Sequence, residues 1–240
     1  MKIDYSEYNY LKSIERINEI LDSSDNNYKE HKGIPSRDAL TYKNGYYVDI
    51  TVIFVDMRKS KELAKKHRLP VLAKIYRTFI SEVIAVLKGT TTINEIYIEG
   101  DGVWGVFNTT TSKHINEVFD TAGKILSLIE ILNITFSKKG YSQIEIGIGI
   151  DEGKSLYMQA GYKGSGINEV VWIGKVVGET AKLCNFGNKE IDDKSLMISE
   201  QIYSHLTDKY KGFMHWNTNR NCYHGNIHNK GMNEWVKKKR

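Results

Sequence analysis

Val52-Ile53-Phe54-Val55-Asp56-Met57-Arg58 and, 45 residues on from Asp56, Ile98-Glu99-Gly100-Asp101-Gly102-Val103 carry the reading that decides the fold. Each sets one aspartate at the end of a β-branched, strand-like run. Asp56 closes Val52–Val55, and Asp101 sits in a Gly-flanked turn between the runs Ile93–Ile98 and Val103–Phe107. A helical pattern begins near Ser60, and Pro70 opens its continuation to Lys88. The Ile93–Phe107 hairpin follows, then a helix over about His114–Leu132. Gln143–Ile150 reads as a strand with Glu and Gly on one face and isoleucines on the other, and a further strand is expected over Ser155–Ala160. A helix from about Lys175 to Asn185 completes the core. This order predicts an α+β fold with a ferredoxin-like βαββαβ core. Residues 1–45 form a front extension, 46–190 the core domain, and 191–240 a C-terminal extension packed on it.

The extensions read simply. Leu11, Ile14, Ile17, Ile20 and Leu21 recur at helical spacing, and Asp22–Asn27 stops that helix. Such a stripe is expected to pack across a dimer or onto its own domain. Gly33–Gly45 reads as a connector. Apolar residues make up 40% and charged residues 26%, an ordinary globular balance, and the net charge is only +5. The one tight basic run, Lys237–Arg240, reads as a solvated tail, so neither nucleic acid nor membrane is an expected partner. Cys184 and Cys222 are too few for a disulfide framework. No apolar stretch approaches the roughly 18 residues that span a bilayer. Met1-Lys2-Ile3-Asp4 does not resemble the start of a signal peptide, so the expected location is cytoplasmic.

The chemistry gathers at the strand ends. Two carboxylates on adjacent strand ends can converge on a pair of hard divalent cations, Mg²⁺ or Mn²⁺, with the Met57 carbonyl as a third oxygen ligand. That layout suits an enzyme acting on a nucleoside triphosphate. Ser60 would cap the following helix, whose free N–H groups, aided by Arg58 and Lys59, would cradle phosphates. Phe54, two residues before Asp56, shares its face and would line the pocket. The bland alternative is that Asp56 caps a helix and Asp101 satisfies a tight turn. Two minor motifs stand apart. Gly161–Gly166 lacks the ending of a P-loop and reads as a crossover loop. His215, Cys222, His224 and His228 have a zinc-like composition without zinc-site spacing.

Phe54-Val55-Asp56-Met57, Glu99-Gly100-Asp101-Gly102 and Val171-Trp172-Ile173-Gly174 running into a helix together resemble the class III nucleotide cyclase domain, over about Tyr46–Asn185. Asn44-Gly45-Tyr46-Tyr47, Tyr157-Met158-Gln159-Ala160-Gly161 and the Gly225-Asn226-Ile227, Met232 and Trp235 tail resemble, more narrowly, the single-domain pyrimidine (uridylate or cytidylate) cyclases of bacterial Pycsar antiphage defence. The resemblance implies cyclisation of a nucleoside triphosphate, with Asp56, Asp101 and the Met57 carbonyl holding two Mg²⁺ or Mn²⁺ ions. It also implies a homodimer with sites between subunits, and a separate effector that senses the cyclic product.

This chain departs from the family pattern. Where ATP-specific members carry a lysine and an aspartate that read the purine, it has Tyr97 and Val171; without them the adenine hydrogen-bond code is lost. Where the family presents an asparagine and then an arginine on the last core helix, it has Gly178 and Lys182. Lysine still neutralises phosphate charge, but as a point charge without the fork of arginine. The expectation is therefore UTP to cyclic UMP, with CTP to cyclic CMP close behind. A purine cyclase, or a degenerate cyclase fold that binds without turnover, are the alternatives.

Overall fold

The computed structural model describes residues 5–163, 165 and 167–240. Gly164 and Gly166 of the glycine-rich loop, and the Met1–Asp4 start, lie outside the described residues. The central strand is β2 (Gly45–Met57), preceded by α1 (Tyr10–Leu21) and by β1 (Tyr28–Glu30), which pairs parallel to its start. Then come α2 (Ser60–Lys66), α3 (Leu69–Lys88), β3 (Ile93–Glu99), β4 (Gly102–Phe107), α4 (Ser112–Lys138) and β5 (Ile146–Tyr162). Adjacent strands run β3-β4-β2-β5 and each neighbouring pair is antiparallel, which is the ferredoxin-like order.

Side-chain alternation assigns the two faces of β2. Ile53, Val55 and Met57 point to the helical side, where Ile75, Phe79, Val83 and Leu87 of α3 and Phe119, Ala122 and Ile125 of α4 complete the main core. Most of these side chains are fully buried, and each contributes on the order of 2 kcal/mol by leaving water. Val52 points the other way, into a second cluster with Trp104, Val106, Tyr157 and Trp172, covered by Leu40 of the connector.

One expectation is corrected here. The strands foreseen at Gln143–Ile150 and Ser155–Ala160 are the single strand β5, starting at Ile146. Asp151-Glu152-Gly153-Lys154 has turn-like composition, yet each of its residues is paired with β2, from Val52↔Asp151 to Asp49↔Lys154. A 13-residue partner strand holds the ladder straight where local propensity favours a turn. Beyond the β2 pairing, β5 continues beside β6 (Ile167–Ile173), which feeds α5 (Lys175–Phe186).

The C-terminal residues extend the same sheet. β7 (Leu196–Ile198) joins β5 in parallel, followed by β9 (Cys222–Gly225) and β8 (Met214–Asn217), with α6 (Glu200–His205) and α7 (Asp208–Lys211) between and α8 (Lys230–Lys239) last. Asp193, buried and paired with Arg220 at 2.7 Å, ties the approach to β7 to the β8–β9 hairpin. At the other end, α1 has the expected spacing but no buried residue; Leu11, Ile14, Ile17 and Ile20 stay exposed. It is held by Glu19 to Lys43 at 2.9 Å and by Arg16 over the Tyr162 ring. No described helix is long and apolar enough to cross a membrane.

Candidate active site

Asp56 is opposite Gly102 in the β2–β4 ladder, so the turn residue Asp101 stands beside it. Glu99 pairs with Gly102, which leaves Gly100 and Asp101 as a two-residue hairpin loop. Such loops need a positive φ in the first position, and Gly100 supplies it at +62°. Gly102 has a different task, because a Cβ on it would stand 3.3 Å from Asp56 Oδ1. Burial, then the negative charge of Asp101, raises the Asp56 carboxyl above its usual range, while Arg58 opposes the shift. The carboxylates are thus near enough to repel each other, and both offer anionic oxygen donors. That chemistry fits a hard divalent cation.

A cleft of about 180 Å³ opens beside Asp56 and Gly102, while Asp101 stands outside its lining. Phe54 and Trp104 form its apolar wall, stacked at 5.0 Å with ring planes 6° apart, and Tyr97 stacks on the other side of Trp104 at 4.1 Å. Cross-strand register produces this column, since Phe54 pairs with Trp104 and Trp104 with Tyr97. Glu99 stands at the rim, and α5 closes the cleft with Ala181, Cys184 and Asn185. The helix can come so close because β5 presents Gly147 and Gly149 beneath it. A Cβ on Gly149 would be 3.0 Å from Cys184 Cα and nearer still to the Thr180 carbonyl. The glycine-isoleucine alternation visible in the sequence is thus the imprint of α5 on one face of β5.

Several expected site residues stand elsewhere. Ser60 caps nothing: it is the first residue of α2, and the N-cap is Lys59 at φ 55° with no side-chain hydrogen bond. Lys59 pairs with Glu145 at 3.2 Å. Arg58 turns beneath the strand end, its side chain only 11% exposed, and donates to Asp56, Gly187 and Cys184. Arg58 is thus committed to groups of the chain itself, whereas Lys59 stays at the surface in its pair with Glu145.

Tyr97 and Val171 are not brought together. Strand alternation leaves Val171 exposed on β6, while Trp172 reaches across and donates from Nε1 to the Tyr97 hydroxyl at 3.0 Å and to Glu95 at 3.3 Å. Tyr97 donates to Glu95, which Arg37 of the connector holds at 2.8 Å. Burial and then the Glu95 carboxylate push the Tyr97 phenol well above its ordinary value. Sequence reasoning missed Glu95, Trp104 and Trp172. Period two from Tyr97 and Gly102 would have placed Glu95 and Trp104 on this face. Trp172 depends on the approach of β6, which no local pattern encodes.

Gly178 and Lys182 are outside the lining of their own cleft. The Gly178 Cα faces open space, and Lys182 pairs with Glu179 at 3.2 Å on an exposed surface. Among the described residues there is no cluster of three or more His, Cys, Asp or Glu able to hold a metal, and Cys222 of the zinc-like set is buried against Met197.

Residues 42–235 match the adenylate and guanylate cyclase catalytic domain. A uridylate cyclase of Treponema porcinum is 36% identical, covering 98% of this chain and 84% of that protein. A uridylate cyclase of Gulbenkiania mobilis is 30% identical, covering 98% of each. A class III adenylyl cyclase-like ATP-binding protein from Pseudomonas aeruginosa superposes with a TM-score of 0.70 over 95% of this chain and 50% of its own; at 17% identity that is a likeness of fold. The match over residues 42–235 and the two relatives spanning nearly the whole chain agree with the ferredoxin-like sheet and its strand-end carboxylate pair, and this protein belongs to the class III nucleotide cyclase family.

Proposed function

We propose that this protein is a uridylate cyclase, converting UTP to 3′,5′-cyclic UMP and pyrophosphate. The observation that carries the reading is Asp56 in the lining of an aromatic cleft with Asp101 on the adjoining turn, in a chain 36% identical to a uridylate cyclase over nearly its whole length. In the reaction the ribose 3′-oxygen bonds to the α-phosphorus, the bond to the α–β bridging oxygen breaks, and the hydroxyl proton is released. Two divalent cations, Mg²⁺ or Mn²⁺, would supply activation of that hydroxyl and neutralisation of the triphosphate. Asp56, Asp101 and the Met57 carbonyl are the oxygens that would hold them.

The remaining residues position and shield. Phe54 and Trp104 give the nucleotide a flat apolar wall and exclude water from one side. Tyr97 and Val171, in place of lysine and aspartate, leave no purine-reading pair; the Tyr97 phenol is already committed to Glu95. Lys182, exposed and outside the lining of its own cleft, would serve the triphosphate of a second subunit in the homodimer that the family resemblance implies. The product would signal to a separate cyclic-nucleotide-sensing effector in antiphage defence, a role that rests on the family resemblance.

The test is incubation of the purified protein with all four ribonucleoside triphosphates and Mn²⁺, with products resolved by mass. Cyclic UMP as the main product is expected. Cyclic CMP would replace the base, and a cyclic purine would overturn the reading of Tyr97 and Val171.

A further inference from the structure

Arg58 was the natural candidate for a phosphate ligand, and its surroundings give it another task. We propose that Arg58 is the positioning residue of Asp56: it commits one carboxylate oxygen, leaves the other toward Asp101, and locks α5 to that arrangement. The inference rests on the cation-binding reading of Asp56 above.

Three elements meet on the guanidinium. Nη1 donates to Asp56 Oδ2 at 3.0 Å, Nε donates to the Gly187 carbonyl at 2.7 Å, and Nη2 donates to the Cys184 carbonyl. Oδ1 is the oxygen that lies against Gly102, on the side of the Asp101 turn. The bond from Arg58 therefore selects the rotamer in which Oδ1, not Oδ2, is available beside the second carboxylate. Partners that orient a metal-ligating carboxylate act in this way.

The same group caps α5. Cys184 is in the last turn of that helix; its carbonyl accepts from the Gly187 N–H at 3.0 Å and from Arg58 as a second donor, whose positive charge meets the negative end of the helix. Space for it is provided by Gly147, paired with Asp56 across the ladder, since any Cβ there would collide with Nη2. Arginine reaches a carboxylate and two carbonyls from three separate nitrogens of a planar fork, whereas the three donors of a lysine ammonium all radiate from one atom. The carboxylate pair and the helix that closes the cleft thus share one rigid link.

The experiment is Mn²⁺ titration of the nucleotide-free protein, read by electron paramagnetic resonance of free Mn²⁺, for wild type, Arg58→Gln and Arg58→Lys. Arg58→Gln is expected to weaken Mn²⁺ binding by roughly 10–100-fold. The KM for UTP at saturating Mn²⁺ should change far less than the Mn²⁺ affinity. Arg58→Lys should recover part of the Mn²⁺ affinity while melting below wild type. If Arg58→Gln does not fold, Arg58→Lys and the recovery of Mn²⁺ affinity in Arg58→Ala by added guanidinium decide the matter. Lower melting with Mn²⁺ affinity intact would reduce Arg58 to a structural residue and overturn the proposal. A raised KM for UTP with Mn²⁺ affinity intact would restore the phosphate role and overturn it equally. Wild type that binds no Mn²⁺ would sink the cation reading itself, which is a distinguishable failure.

Discussion

Replacing Gly149 with alanine should destabilise the protein, and replacing Gly178 with alanine should stabilise it, although α5 is the helix concerned in both. In an ordinary strand, Gly→Ala gains roughly 0.4–1 kcal/mol by restricting the unfolded chain. At Gly149 that gain meets backbone: the new Cβ would stand 3.0 Å from Cys184 Cα and closer to the Thr180 carbonyl. The Thr180 carbonyl oxygen would stand well inside the roughly 3.3 Å of an ordinary C···O contact, so α5 must retreat by roughly 1 Å, carrying Ala181, Cys184 and Asn185 off the cleft. No flexible side-chain tip can absorb the clash, so the cost belongs at the upper end of overpacking, about 3 kcal/mol, and outweighs the gain. For a chain of this size a net loss near 2 kcal/mol lowers Tm by roughly 4–8 °C. At Gly178 a Cβ meets nothing within 4 Å. There alanine removes the helix penalty of glycine, about 1 kcal/mol, and raises Tm by roughly 2–4 °C. Thermal melts followed by far-UV circular dichroism measure both. A Gly149→Ala protein that melts at or above wild type would refute the account of why β5 alternates glycine and isoleucine.

Asp56→Asn and Asp101→Asn should each cut cyclic-nucleotide formation by at least about 100-fold, because each removes an anionic oxygen ligand; unchanged turnover in either would remove that residue from the site. Asp193→Asn should cost about 1–3 kcal/mol, since it removes the buried carboxylate that Arg220 pairs with and leaves that guanidinium only the exposed Glu190. Burial raises the Asp193 carboxyl, but the hydrogen bonds and charge of Arg220 outweigh it and hold the group below its usual range. The ionised form is therefore favoured in the folded state, so the stabilisation is present above about pH 4 and fades as pH falls through the folded value. Melts of wild type and variant should converge in acid, and a constant gap down to low pH would exclude the pair as the cause. Trp172→Phe should lower stability by about 1–3 kcal/mol by removing the donor shared by Tyr97 and Glu95, read in the same melts.

Local pattern by itself determined the main core elements, β2, α3, the β3–β4 hairpin and α4, and set one aspartate at each of two strand ends. Alternation in Val52–Asp56 is a strand signal because one face of β2 must meet α3 and α4, and Gly100-Asp101 is a turn signal because the hairpin loop demands a positive φ. Those signals act over a few residues, so one chain read alone displays them. Tertiary structure decided the rest. It kept Asp151–Lys154 in the ladder through pairing with β2, turned Arg58 inward to the carbonyls of Cys184 and Gly187, and brought Trp172 rather than Val171 to Tyr97. Each of these outcomes depends on groups 75 or more residues apart, whose contact exists only once the sheet is assembled. An arginine beside an aspartate looks free for a phosphate until the chain folds. It becomes a structural link because the Gly187 and Cys184 carbonyls and the Asp56 carboxylate converge on one guanidinium once β2, β5 and α5 pack together.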